Sequence, residues 1–163
     1  MAKTSYAIAL GSNRRSRHGS PESTVCAAAE ALGVDRLSAI RSTPAMGPAG
    51  RGFANAAALL SSTLFPAELL NELKALEQSF GRRAGRRWGP RVLDLDIILW
   101  SGGPFEAPGL TVPHPAFRER AFVLDPIAEL VPGWRDPITG LTVRQLLHRL
   151  RAASPVDPRP AQP

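Results

Sequence analysis

Two hydrophobic periodicities run along this chain, and the points where one gives way to the other mark its predicted elements. Residues 6–10 form a short apolar run stopped by Gly11, Ser12 and Asn13, the pattern of a strand entering a turn. Residues 14–19 are basic and patternless and predict a mobile loop. Ser20-Pro21-Glu22 then supplies an N-cap, a proline at the first helical position and an acid in the first turn. Val25, Ala28, Ala29 and Leu32 form the apolar stripe of that helix, and Gly33 stops it. Residues 36–43 alternate roughly, as an edge strand does, up to Pro44. A glycine-rich loop leads to a small-residue strand over 53–63. Pro66 opens the clearest helix, with Leu69, Leu70, Leu73, Leu76 and Phe80 at helical spacing and Gly81 at its end.

The run over 93–99 is the most informative stretch. It is apolar except for Asp94 and Asp96, lies between Gly89-Pro90 and Ser101-Gly102-Gly103-Pro104, and has the length of a buried strand. Beyond it, residues 101–108 read as a turn and irregular connection, and 110–115 hold too much proline for a central strand. Residues 117–130 predict a short helix, a break near Pro126 and another helical turn or two. Residues 136–140 make a turn, Thr142 caps a last helix bearing Val143, Leu146, Leu147 and Leu150, and residues 153–163 form a proline-rich tail expected to be disordered. The order strand, helix, strand, strand, helix, strand predicts an α+β fold: a ferredoxin-like βαββαβ core with a largely antiparallel sheet, C-terminal helices added, and one domain over 1–152.

Composition changes this picture in two places. The net charge of +6 comes from arginine, with Lys3 and Lys74 the only lysines, and guanidinium forks suit phosphate oxygens. Cys26 is the only cysteine, so an intrachain disulfide and a multi-cysteine metal site are excluded, and its alanine-rich surroundings suggest a small core residue. A strand follows the first five residues directly, without the apolar core of a signal peptide, and no run is long enough to span a membrane, so a cytoplasmic protein is expected.

On a strand, residues i and i+2 share a face about 6.6 Å apart, so Asp94 and Asp96 converge while Leu93, Leu95, Ile97 and Leu99 face the other way. Two carboxylates beside a loop bearing Arg82, Arg83, Arg86, Arg87 and Arg91 suit a polyphosphate carried with Mg2+, which is held by one or two carboxylates plus phosphate oxygens. The structural alternative has one Asp capping a loop and the other paired with Arg91. Glu77, near the edge of its helix stripe, would face that loop. Thr43 and Asn55, flanking the glycine-rich loop, would meet at one end of the sheet. No G-x-x-x-x-G-K-[ST] loop, kinase glycine loop or nucleophile–histidine set is present, which leaves positioning plus metal electrostatics, the usual mode of phosphoryl transfer. An RNA-binding domain of the same topology would account for the arginines but expects aromatics on the central strands. A metal-dependent nucleotidyltransferase or nuclease would keep the aspartates and leave the Thr43–Asn55 region and His114 without a role.

The stretch Arg87-Trp88-Gly89-Pro90-Arg91-Val92-Leu93-Asp94-Leu95-Asp96-Ile97-Ile98 resembles the signature of the 6-hydroxymethyl-7,8-dihydropterin pyrophosphokinase family of folate biosynthesis. Ala9-Leu10-Gly11-Ser12-Asn13, Ser42-Thr43-Pro44, Asn55-Ala56-Ala57 and Leu110-Thr111-Val112-Pro113-His114, with Arg120 and Phe122 beyond, agree in the same order. The resemblance spans roughly residues 5–150. It implies a Mg2+-dependent transfer of diphosphate from ATP to the pterin hydroxymethyl group, leaving AMP. By resemblance, Asp94 and Asp96 hold two Mg2+ ions. Thr43, Met46 and Asn55 contact the pterin between Phe53 and Phe122. Glu77, Trp88, Arg91, Ile97, Thr111, His114 and Arg120 line the ATP site, and Arg82 joins Arg91 in catalysis, with Arg82 and Trp88 on a loop that closes over the site. Small-molecule substrates, no nucleic acid, no membrane and a monomer are the partners it implies. Phe53 stands where the family often has Tyr and Ala45 where Pro is common. A second family arginine falls nearest Ala84, with Arg83 and Arg86 as substitutes.

Overall fold

The structure, a computed structural model, describes residues 2–43, 52–81 and 92–153. Its elements run β1 (Thr4–Ser12), α1 (Pro21–Leu32), β2 (Arg36–Leu37), β3 (Arg41–Thr43), β4 (Phe53–Ser62), α2 (Pro66–Ser79), β5 (Asp94–Trp100), β6 (Phe105–Ala107), β7 (Leu110–Val112), a 3-10 turn (Phe117–Glu119), α3 (Ala121–Leu130) and α4 (Val143–Ala153). The main sheet has the order β2-β4-β1-β5, with β3 also on β4, and every pairing is antiparallel. This is the ferredoxin-like α+β arrangement that the element order predicts. Met46, Arg82, Trp88 and Arg91, with the alternatives Arg83 and Arg86, lie outside the described residues. So does the tail beyond Ala153, a residue that α4 retains.

Alternation along β1 builds two cores. Tyr6, Ile8 and Leu10 face α1 and α2, where they meet Val25, Ala28, Leu69 and Leu73. Ala7 faces the opposite layer, where α3 and α4 bring Leu124, Ile127, Leu146 and Leu147. The helix signals act as read. The Ser20 hydroxyl accepts the Ser23 N–H, and Gly33 closes α1 at φ 67°. At α4, the Thr142 hydroxyl accepts the Gln145 N–H while the Gln145 amide oxygen accepts the Thr142 N–H, a capping box.

Several expectations need correction. Cys26 is exposed, because it sits about 100° around α1 from buried Val25. The edge strand over 36–43 is split by a bulge. Arg36 and Leu37 pair with Leu59 and Ala58, while Arg41 pairs with Asn55, one residue out of step. In the bulge the Ser38 hydroxyl accepts the Ala57 N–H at 2.9 Å, and Glu129 of α3 accepts the Ala39 N–H at 3.0 Å. Helix α3 runs unbroken through Pro126. The proline falls in the second turn, where it removes one backbone bond, and burial of Val123, Leu124, Ile127 and Leu130 offsets that loss. The irregular connection after β5 is a hairpin, β6–β7, turning at Gly109 with φ 77°.

The basic segment 14–19, expected as a mobile loop, forms a hydrogen-bonded turn docked on the end of α2. Ser16 and Gly19 exchange backbone hydrogen bonds, Arg17 donates to the Ser79 carbonyl at the end of α2, and the His18 ring stacks on Phe80 at 4.3 Å. Arg17 thereby supplies a cation to a helix end that has no basic residue in its last turn.

Between α3 and α4, Asp136 is fully buried. Its carboxylate accepts from Arg118 Nε and NH2 at 2.5 and 2.9 Å, from the Ile138 N–H and from the Thr139 hydroxyl. Burial alone would raise its pKa. The Arg118 fork, the Ile138 and Thr139 donors and the Arg118 charge outweigh burial and lower it from 3.8 to about 2. No helix among the described residues is long and apolar enough to cross a membrane.

Two stability predictions follow from these contacts. Ser38→Ala strands the buried Ala57 N–H and should cost about 1–3 kcal/mol in denaturant unfolding. Because the Asp136 pKa is depressed in the folded state, its ion pair stabilises the fold above pH 3.8 and fades as pH falls towards about 2. The difference in Tm between the parent protein and Asp136→Asn should therefore be constant from pH 7 to 5 and shrink between pH 4 and 2; a constant difference throughout would contradict the assignment.

Candidate active site

Strand register builds the site. Gly11 of β1 lies between Asn55 of β4 and Asp94 of β5, and Ala9 lies between Ala57 and Asp96. Antiparallel partners share a face, so two rungs, Asn55–Gly11–Asp94 and Ala57–Ala9–Asp96, run side by side across the sheet, their outer members roughly 10 Å apart. The central members are the smallest available. A Cβ at Gly11 would approach the Asn55 Oδ1 to 3.2 Å, so the glycine keeps the floor of the trough open.

Phe53 lies two residues before Asn55 and pairs with Thr43, which puts both on this face at the open end. The start of α3 roofs the trough with Arg120, Phe122 and Val123. The resulting cleft has a volume of about 430 Å³ and brings together Asn13, Thr43, Phe53, Asn55, Asp94, Asp96, Arg120 and Phe122. Phe53 and Phe122 are 49% and 52% exposed, so both rings present apolar surface at this cleft. The Arg120 guanidinium lies 5.8 Å from the Phe122 ring centroid. The sequence resemblance groups Arg120 with the second cleft described next, whereas the fold places it here, because it is the N-cap of α3.

A second cleft, of about 470 Å³, opens along the outer edge of β5. Leu70, Lys74 and Glu77 of α2 form one wall, the β6–β7 hairpin with Thr111 another, and His114 and Pro115 close it. Asp94, Asp96 and Ile97 form the floor. The two clefts therefore meet at Asp94 and Asp96, both of which are exposed.

The backbone edge of β5 is held from both ends of this second cleft. Glu77, only 6% exposed, accepts the Leu95 N–H at 2.7 Å, gripping the residue between the two aspartates. Glu77 thus turns to the strand rather than only to the loop after α2, because its place in the last turn of α2 points it at the sheet edge. The His114 N–H donates to the Ile98 carbonyl at 3.0 Å, and its Nδ1 accepts the Ala116 N–H at 3.2 Å, which leaves the Nε2 side of the ring for the cleft.

Ile98 is the extra residue of a bulge: Ala7 pairs with Leu99 and Ile8 with Ile97. Leu99 consequently turns to the α3–α4 core with Ile98 and leaves the face that it was expected to share with Leu93, Leu95 and Ile97. The alternation that places the aspartates holds only up to this bulge.

Sequence reasoning missed the hairpin wall, Lys74, Asn13 and the Gly11–Ala9 floor. A signal for the hairpin existed in Pro108-Gly109 between two short alternating runs.

A family profile described as 7,8-dihydro-6-hydroxymethylpterin-pyrophosphokinase matches residues 7–132. The chain is similar to the 2-amino-4-hydroxy-6-hydroxymethyldihydropteridine pyrophosphokinases of three bacteria. The Synechocystis sp. protein is 42% identical over 127 residues, covering 77% of this chain and 65% of the relative. The Pseudomonas aeruginosa protein is 42% identical over 138 residues, covering 80% and 82%. The Methylorubrum extorquens protein is 40% identical over 125 residues, covering 76% and 78%. Among solved structures, a Plasmodium falciparum HPPK-DHPS triple mutant aligns with a TM-score of 0.69 at 11% identity, over 90% of this chain and 44% of that one, a likeness that bears on the fold alone. With the profile running from β1 past α3 and three relatives at 40% identity or more, the chain belongs to the 7,8-dihydro-6-hydroxymethylpterin-pyrophosphokinase family, the ATP-dependent pyrophosphokinases of folate biosynthesis.

Proposed function

We propose that this chain transfers diphosphate from ATP to the hydroxymethyl group of 6-hydroxymethyl-7,8-dihydropterin, with the pterin in the Phe53–Phe122 cleft, ATP in the Glu77–His114 cleft, and two Mg2+ ions held by Asp94 and Asp96. The observation that carries this reading is that two clefts of nearly equal size share these two side chains and nothing else acidic. Donor and acceptor would lie on opposite sides of one pair of carboxylates. Among the described residues no group of three or more His, Cys, Asp or Glu could hold a metal alone, and a two-carboxylate site completed by phosphate oxygens and water fits Mg2+. When bound, the ions supply positive charge to the transferring phosphoryl oxygens and orient donor and acceptor.

The residues of the chain do the rest. Phe53 and Phe122 offer flat apolar faces for a planar heterocycle, and the Asn55 amide and Thr43 hydroxyl offer hydrogen bonds to its edge. Thr111, His114 and Ile97 line the nucleotide side, and Arg120, which lines the first cleft together with both aspartates, offers a guanidinium fork for phosphate oxygens. The hydroxymethyl oxygen attacks the β-phosphorus, the bond to the α-phosphate bridging oxygen breaks, AMP departs, and the hydroxyl proton is released to solvent. Met46, Arg82, Trp88 and Arg91 enter this proposal through the family resemblance. Action as a monomer in the cytoplasm completes the reading. The two carboxylates on this face, which would repel a nucleic-acid backbone in the absence of metal, disfavour the RNA-binding alternative even though Phe53 is exposed on β4.

Incubation of the purified chain with ATP, Mg2+ and the hydroxymethyl dihydropterin should yield AMP and the pterin diphosphate in equal amounts, and EDTA should stop the reaction. ADP as product, or AMP formed without pterin, would refute the proposal. Asp96→Ala should lower turnover by about 1,000-fold or more, the equivalent of several kcal/mol of charge stabilisation, with an unchanged circular dichroism spectrum. Phe122→Ala should raise the KM for pterin by about tenfold and leave that for ATP alone, as expected if one stacking face worth about 1 kcal/mol or more is lost.

A further inference from the structure

We infer that Arg118 and Asp136 are a positioning pair for the reaction: their bidentate bond sets the geometry of the His114–Phe122 segment and so the alignment of one cleft with the other. The inference rests on the pyrophosphokinase reading above.

The segment from His114 to Phe122 is the one stretch of described chain after β5 that serves both clefts. His114 and Pro115 line the nucleotide cleft, and Arg120, Phe122 and Val123 line the pterin cleft. Between them lies only the 3-10 turn Phe117–Glu119, too short to be rigid by its own hydrogen bonds. Its position is imposed from outside. Phe117 is fully buried and anchors one side. Arg118 anchors the other, with its guanidinium 4.9 Å from the Phe117 ring centroid and both fork nitrogens on Asp136.

Asp136 is itself immobilised. Its side chain has no exposed surface, and its turn is closed by the Gly140 N–H on the Asp136 carbonyl and the Asp136 N–H on the Leu141 carbonyl. The turn leads directly into α4, which packs against α3. Neither residue lines either cleft; Arg118 opens instead onto a shallow groove beside Pro113 and Ile138. The pair therefore acts through its neighbours, two residues from Arg120 and four from His114. A bidentate fork fixes orientation as well as distance, which a single ammonium would not. In a reaction that joins molecules held in two separate clefts, a misalignment of about 1 Å costs on the order of 100-fold in rate without weakening either binding site.

The test uses Arg118→Met/Asp136→Asn, which removes the fork without leaving a buried charge unpaired and keeps an oxygen to accept the Ile138 N–H while its amide nitrogen can donate to the Thr139 hydroxyl, together with Arg118→Lys, which keeps the charge and loses the fork. The double variant should melt cooperatively and bind a nonhydrolysable ATP analogue and the pterin, each alone, within about threefold of the parent Kd, while kcat falls between about 10-fold and 100-fold. Arg118→Lys should show a smaller loss of the same kind. A folded double variant whose kcat stays within threefold of the parent overturns the inference, and so does a loss of rate matched by loss of affinity for one substrate. If the double variant does not fold, Arg118→Lys decides: a decline in kcat at constant Kd supports the pair, and parental kcat overturns it. Should the parent form no AMP, the functional reading fails. The positioning claim is then read from the side-chain NMR signals of His114 and Arg120, which must both shift in Arg118→Lys for it to stand.

Discussion

Two carboxylates on the same face of one strand repel each other, by roughly 0.6 kcal/mol in water at the 6.6 Å spacing of i and i+2. The fold keeps Asp94 and Asp96 in that arrangement by making the strand unable to turn away. Its inner edge is in register with β1, so that each aspartate faces a residue with little or no side chain, and its outer edge is held by the Glu77 carboxylate on the Leu95 N–H and the His114 N–H on the Ile98 carbonyl. The same constraint leaves both carboxylates open to the two clefts that meet there.

The bulge at Ile98 lets one short strand serve two purposes. Before it, strict alternation sends Leu95 and Ile97 into the α1–α2 core and the aspartates to the opposite face. After it, Ile98 and Leu99 both enter the α3–α4 core, sealing the site end of that layer. Without the register shift, Leu99 would pair with Tyr6 and join Leu95 and Ile97, and the layer that roofs the Phe53–Phe122 cleft would lose a buried contact. Bulges commonly sit beside active sites because they re-aim side chains at low cost in pairing.

Around this strand the remaining site is assembled from pieces that are distant in sequence and individually weak. The hairpin β6–β7, the 3-10 turn and the first turn of α3 are each too short to be stable alone. They are held by Phe117 in the core, by His114 on the β5 edge and by Arg118 on Asp136. The basic turn over 14–19 braces the end of α2 in a similar way, through Arg17 on Ser79 and His18 on Phe80. The stability of the clefts thus depends on a few anchors rather than on regular secondary structure around them.

The amino-acid sequence alone determined the βαββαβ order of the core, the ferredoxin-like class, the caps of α1 and α4 and the convergence of Asp94 with Asp96, because each depends on local periodicity and short-range hydrogen bonding. The strand–loop–strand pattern brought Thr43 and Asn55 to one end of the sheet, family resemblance added Phe53, His114 and Phe122, and the fold gathers all five around the aspartates. Tertiary structure decided the rest. Which cleft Arg120 enters depends on where α3 begins. The turn of Leu99 into the α3–α4 core depends on a register shift against β1, and the grip of Glu77 on Leu95 depends on α2 ending beside β5. Pro126 reads as a break in isolation, yet the helix continues because burial of its apolar side outweighs one missing bond. These are pairings between residues far apart in the chain, and no local pattern encodes them, because their energy exists only once the sheet has brought both partners together.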